Sequence, residues 1–108
     1  METKNINLPD QGIIAWELFN IMYQKKEMKL SDEIYPLLEK IFNLTPEQKS
    51  LKYESGENIW RARVRAAKHN VFTKNNLFDS KEEGIWKITE KGEEMYKELA
   101  RLGLKKLD

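Results

Sequence analysis

At 108 residues the chain has the length of one domain, enough to bury a core without disulfide or metal staples. Apolar residues make up 40% and charged residues 34%, with aromatic and aliphatic side chains recurring throughout, which excludes a disordered polyelectrolyte. The absence of cysteine excludes disulfides and thiolate metal sites, and no apolar run suits a bilayer span or a signal peptide, so a soluble, cytoplasmic protein is expected.

The predicted elements, in chain order, begin with a helix over about 8–23, where Ile14, Leu18 and Met22 recur every four residues beside Ile21. The charged stretch 25–29 breaks the pattern and reads as a linker. A second helix is expected over 31–43, because Ile34, Leu37, Leu38, Ile41 and Phe42 have the spacing of one core-facing stripe. Ser31 or Asp32 can cap it, and Pro36 is tolerable in or just past the first turn, where a missing N–H matters least. Thr45-Pro46-Glu47-Gln48 is a capping-box pattern with proline at the first helical position, opening a short helix.

Ser55-Gly56 is a turn ahead of a third long helix over roughly 57–75, which Asn75-Asn76 ends because asparagine tolerates left-handed backbone. Residues 77–79 and 85–88 read as two strands joined by the turn 80–84, with Trp86 and Ile88 on one face. Thr89 caps a last helix over about 90–102, with Met95, Leu99 and Leu102 on one side. Trp16, Trp60 and Trp86 each sit on an apolar stripe and are assigned to the core. The order helix, helix, helix, hairpin, helix is that of a winged helix-turn-helix, a mainly α fold with a small β-hairpin (α+β). Residues 8–102 form the expected domain, 1–7 an N-terminal tail, and 103–108 a C-terminal tail or a linker to a missing domain.

Charge is unevenly placed. Residues 1–48 carry a net −3, residues 49–76 a net +5 and residues 77–108 a net −1. A basic segment within an otherwise acidic chain is the footprint of a polyanion site or, alternatively, a solvated helix face. On a helical wheel of about 100° per residue, Trp60, Val64, Ala67 and Val71 form the buried stripe of the third helix. Asn58, Ala62, Arg65, Ala66 and His69 lie opposite, with Arg61 and Lys68 on one flank and Arg63 and Asn70 on the other. Small residues let a backbone approach the major groove, Arg and Asn pair with base edges, and flanking cations meet phosphates. Asn58, Arg65 and His69 are therefore the candidates for reading DNA, Arg65 through a base or a backbone contact, and Arg61, Arg63 and Lys68 the candidates for its backbone. Lys81 and Lys87 of the hairpin can reach phosphate, although Glu82 and Glu83 at its turn would be repelled.

Three segments also carry a family resemblance. Phe42-Asn43-Leu44-Thr45-Pro46-Glu47-Gln48 resembles an F-G-L-T-x-E-E junction, and Arg63-Val64 through Ala67-Lys68 to Leu77 resembles an R-V-x-W-A-R…L…G-L helix. The most specific is Gly84-Ile85-Trp86-Lys87-Ile88-Thr89-Glu90-Lys91-Gly92, which resembles G-V-W-R-I-T-E-R-G. Together they are similar to the N-terminal winged-helix domain of the Mrr family of modified-DNA restriction proteins. The chain departs in a slightly longer third helix and in Asn75-Asn76, where the family has a small residue and glycine. The resemblance implies targeting of double-stranded DNA in a restriction or defence setting, beside a nuclease domain that is fused or supplied by a partner.

No active site is legible. Glu27-Met28-Lys29 and Glu47-Gln48-Lys49 match the Glu-x-Lys of magnesium nucleases, but the first is read in a linker and the second at a helix start, neither beside a partner aspartate. One histidine without cysteine does not make a usual zinc site, no glycine run cradles phosphate, and the serines lack a base. No enzyme activity and no cofactor or metal are expected. Two other readings stay open: a small transcriptional regulator, and a winged-helix interaction or dimerisation domain that does not bind DNA. The residues near the C-terminus, Leu102, Leu104 and Leu107, would serve a homodimer or lead into a further domain. A lone module of this kind is expected to bind DNA weakly, on the order of micromolar.

Overall fold

The computed structural model describes residues 8–104; the tail 1–7, and 105–108 with Leu107, lie outside the described residues. Helix α1 (Gln11–Lys25) runs through the middle of the core, with Ile14, Ala15, Trp16, Leu18, Phe19, Ile21 and Met22 all buried. Lys26 ends it in a left-handed turn (φ 73°), and the chain turns directly into strand β1 (Glu27–Lys29). This corrects the reading of 25–29 as a linker. A strand of three residues with one buried apolar side chain, Met28, between two exposed charges offers too little alternation to be seen.

β1 joins the expected hairpin, β2 (Phe78–Asp79) and β3 (Ile85–Ile88), in an antiparallel sheet of order β1-β3-β2. Met28 pairs with Trp86 and Phe78 with Ile88, so the inner face of the sheet is apolar. A mostly helical chain with this small sheet has the winged-helix arrangement. No helix among the described residues is long and apolar enough to cross a membrane.

Two wide π turns set the phase of the helices. The first (Leu30–Ile34) leads into α2 (Tyr35–Ile41), and the Glu33 carboxylate accepts a 2.7 Å hydrogen bond from the Lys29 N–H. A proline ring in an α turn collides with the carbonyl four residues back, and a wider turn relieves that collision at Pro36. After the buried Ile34, the side of α2 turned inward carries Tyr35, Leu38 and Phe42. Phe42 packs edge-on to Trp60 at 6.0 Å, while Ile41 stands 41% exposed and Leu37 half-buried. The expected Ile41 core position is corrected on this ground. The Thr45–Gln48 capping box forms as expected, opening α3 (Pro46–Ser50).

The second π turn matters more. Helix α4 (Ile59–Ala67) buries Trp60, Val64 and Ala67, then continues as a π segment (Lys68–Thr73). An i→i+5 turn takes in one more residue than an α turn, so Phe72 becomes fully buried and Val71 is left half-buried. Val71 still packs against the core, but only in part, and the fully buried place at this turn goes to Phe72. Phe72 stacks on Phe78 at 4.1 Å and meets Phe19 edge-on at 4.9 Å, tying α4 to the hairpin and to α1. Asn76 takes the left-handed conformation (φ 58°) after the π turn.

Thr89 caps helix α5 (Glu90–Arg101): its hydroxyl accepts from the Gly92 N–H at 2.9 Å and donates to the Asn76 carbonyl at 2.7 Å. Gly92 lies so close to the hairpin that a Cβ there would strike the Leu77 carbonyl oxygen and the Ile88 side chain. That approach fixes the rotation of α5. Gly92, Tyr96 and Leu99 face inward, and Tyr96 stacks on Trp16 and Tyr23. Of the three apolar residues expected on one side, only Leu99 packs inward, and Met95 and Leu102 stand outside.

Candidate nucleic-acid interface

The loop before α4 is built to present that helix. A backbone bridge joins Lys52 to Asn58, the Tyr53 N–H donates to the Glu57 carbonyl at 2.9 Å, and the Ile59 N–H donates to the Leu51 carbonyl at 3.0 Å. Asn58 is the N-cap: its Oδ1 accepts from the Arg61 N–H at 2.9 Å, and its Nδ2 donates to the Lys49 carbonyl at 2.7 Å. Both ends of its amide thus hold the loop to the helix, an anchoring role and not the base-facing position given by the wheel.

The centre of the site is Tyr35, which α2 and its π turn place against α4. Only 2% exposed, its ring lies 4.8 Å beneath the Arg61 guanidinium, and its hydroxyl accepts a 3.0 Å hydrogen bond from Arg65 Nη1. Arg65 Nη2 reaches the Glu57 carboxylate in an ion pair. Partial burial disfavours the Arg65 cation, but Tyr35 and Glu57 outweigh it, so its pKa is raised and the charge is permanent. Ala62 and Ala66, half-buried and small, sit on the turns around Arg65, and His69 is exposed one turn on. The result is a helix face with little side-chain bulk and two arginines oriented by one tyrosine.

The flanks are anchored elsewhere. Arg63 donates to the Pro9 carbonyl and Asn70 to the Gln11 side chain, each at 3.4 Å, so this flank leans on the start of α1. On the other flank Lys68 donates to Ser80 Oγ at 2.8 Å and lies 5.3 Å from the Trp86 ring centre. Burial lowers the Lys68 pKa and the nearby Asp79 partly restores it.

The hairpin differs. Lys81 pairs with Asp79 at 3.8 Å, and Lys87 pairs with Glu27 at 3.6 Å across the sheet. Lys87 also stands opposite Asp79 in the register, between carboxylate-bearing positions on both neighbouring strands. Glu82 and Glu83 are exposed at the tip. Glu27-Met28-Lys29 is on a strand, not in a linker, yet its glutamate faces a lysine. Among the described residues no three His, Cys, Asp or Glu side chains are grouped so as to hold a metal ion.

The eight sequence candidates thus divide. Arg61 and Arg65 meet around Tyr35, with His69 one turn along; Lys68 bridges to the hairpin; Asn58 and Arg63 secure the helix; Lys81 and Lys87 lie on the wing. Tyr35 and Glu57 are not among the eight. Arg65 lies 30 residues from Tyr35 and 8 from Glu57, so neither pairing has the i, i+3 or i, i+4 spacing of neighbours on a helix.

The model of the Mrr N-terminal domain family matches residues 14–98, from α1 through most of α5. No curated protein and no solved structure matches the chain.

Proposed function

Since this chain belongs to the Mrr N-terminal domain family, we propose that it is a non-catalytic module that targets double-stranded DNA for a restriction or defence system, reading the major groove with α4 and its π extension. The observation that carries the reading is the Tyr35-ordered pair of arginines on a face that is small in its middle, at Ala62 and Ala66. Ala62 and Ala66 let the helix backbone approach the bases, and Tyr35 presents Arg65 in a fixed direction to the phosphate beside them. Arg61 and Lys68 stand on one flank and Arg63 on the other, where the two phosphate backbones would run. The family tie supports a partner or fused nuclease as the source of cleavage.

The test is binding of the purified chain to a labelled duplex, methylated and unmethylated, across a salt series, beside Arg65→Ala. Salt-sensitive binding that weakens about tenfold in the variant, as the loss of one phosphate contact near 0.1 M salt would give, supports the reading. Absence of binding at low salt by a folded chain refutes it.

A second reading, a homodimer or protein-docking role, is favoured by one observation. Met95, Leu102 and Leu104 on and after α5 are 38%, 60% and 42% exposed, an apolar edge that DNA contact does not use. Sedimentation over a range of concentrations separates a monomer from a dimer.

A further inference from the structure

We propose that Glu57 gates Arg65, its carboxylate holding the place that a DNA phosphate oxygen takes on binding. The inference rests on the reading of α4 as the DNA-facing helix. Arg65 has two side-chain partners, and they are held very differently. The Tyr35 hydroxyl is rooted in the core, since the ring beneath it is 2% exposed. The Glu57 side chain is 49% exposed and belongs to a loop residue whose own backbone is pinned by the Tyr53 N–H. The hydroxyl therefore aims the guanidinium, and the carboxylate is the partner that can leave.

A carboxylate and a phosphodiester present similar pairs of anionic oxygens, and both suit the forked donors of arginine. An exposed ion pair is weak, so exchange of one anion for the other is easy to drive once the duplex brings many phosphates near. Glu57 then opposes binding in two ways. It competes for Arg65 before contact, and it is left beside an anionic backbone afterwards. Glu54, the other acidic residue of the basic segment, is exposed in the same loop and supplies the control, because its charge is like that of Glu57 but it is not the partner of Arg65.

The experiment is a double-mutant cycle on the full chain, read as affinity for one labelled duplex at fixed salt. Glu57→Gln is expected to tighten binding about two- to fivefold, the scale of an exposed pair. Glu57→Ala should give the same gain, with thermal melting confirming that both variants fold. On an Arg65→Met background the gain should shrink to the smaller one that Glu54→Gln gives, the part due to repulsion alone. A gain of equal size with and without Arg65, or an equal gain from Glu54→Gln, reduces Glu57 to general repulsion and overturns the gate. Wild-type binding with no gain from Glu57→Gln also overturns the gate alone. No binding by the wild-type chain overturns the reading beneath it.

Discussion

Helix α4 and the hairpin that follows it both point basic side chains outward, but the two regions use them differently. On α4, Arg61 rests on the Tyr35 ring, Arg63 on the Pro9 carbonyl, and Lys68 on Ser80, while Arg65 combines a tyrosine hydroxyl with an exposed glutamate. These contacts orient the cations and, apart from Glu57 at Arg65 and the nearby Asp79 at Lys68, do not offset their charge. In the hairpin each lysine meets a carboxylate, Lys81 with Asp79 and Lys87 with Glu27, and the tip adds Glu82 and Glu83. A count of Lys and Arg along the chain does not register this difference. What each cation already touches decides how much of its field reaches a ligand.

The comparison depends on which side of α4 faces out, and therefore on the π turn. The largest expected effect tests it. Phe72→Ala should cost about 3–5 kcal/mol in denaturant unfolding, as loss of a fully buried aromatic ring does, whereas Val71→Ala should cost less than about 1 kcal/mol. Equal costs would mean an uninterrupted α-helix, with a different face outward beyond Ala67. Next in size is Gly92→Ala, expected to cost about 1–3 kcal/mol by forcing α5 off the hairpin, because a backbone carbonyl cannot step aside as a flexible side chain can. A melting temperature close to that of the unaltered chain would show that the hairpin is mobile against α5 and cannot hold Lys68 in place through Ser80.

Much of this architecture is legible in the residues. The i, i+4 recurrence of Ile14, Leu18 and Met22 marks α1, and all three are fully buried. The caps at Thr45 and Thr89 are local hydrogen-bond chemistry, written within four residues, and both form. The illegible parts share a cause. A wheel assumes one turn throughout, so within the second π turn it ranks Val71 as core and passes over the fully buried Phe72. Periodicity alone does not show that nothing packs over Ile41 at the end of α2. Strand β1 is shorter than any periodic signal and is made by its pairing with β3. At the site, the basic face was visible as composition, but Tyr35 comes to Arg65 only through packing of α2 on α4.

On DNA, the contrast between helix and hairpin should appear as unequal sensitivity. Arg65→Ala is expected to weaken binding about tenfold and to reduce the slope of log affinity against log salt by about one. Lys81→Ala and Lys87→Ala should each change affinity by less than about twofold, because each lysine already offsets a neighbouring carboxylate. The same titration applied to all three variants decides the matter. A larger loss from Lys87→Ala than from Arg65→Ala would make the sheet edge the docking surface and reverse the assignment.

The smallest expected effect is the sharpest probe of the tip. Glu82 and Glu83 are exposed, with Gly84 turning in the left-handed region (φ 79°) after them. If the tip stands away from the duplex, the double change Glu82→Gln with Glu83→Gln should raise affinity by less than about twofold at 0.15 M salt, where the screening length is about 8 Å. A tip lying on the backbone would behave otherwise. Two uncompensated carboxylates against phosphate would then suppress binding strongly, and their removal would raise affinity well beyond that limit and steepen the salt dependence. The outcome separates a hairpin that chiefly carries Ser80 and Trp86 to the Lys68 side of α4 from one that is itself a second arm on the DNA.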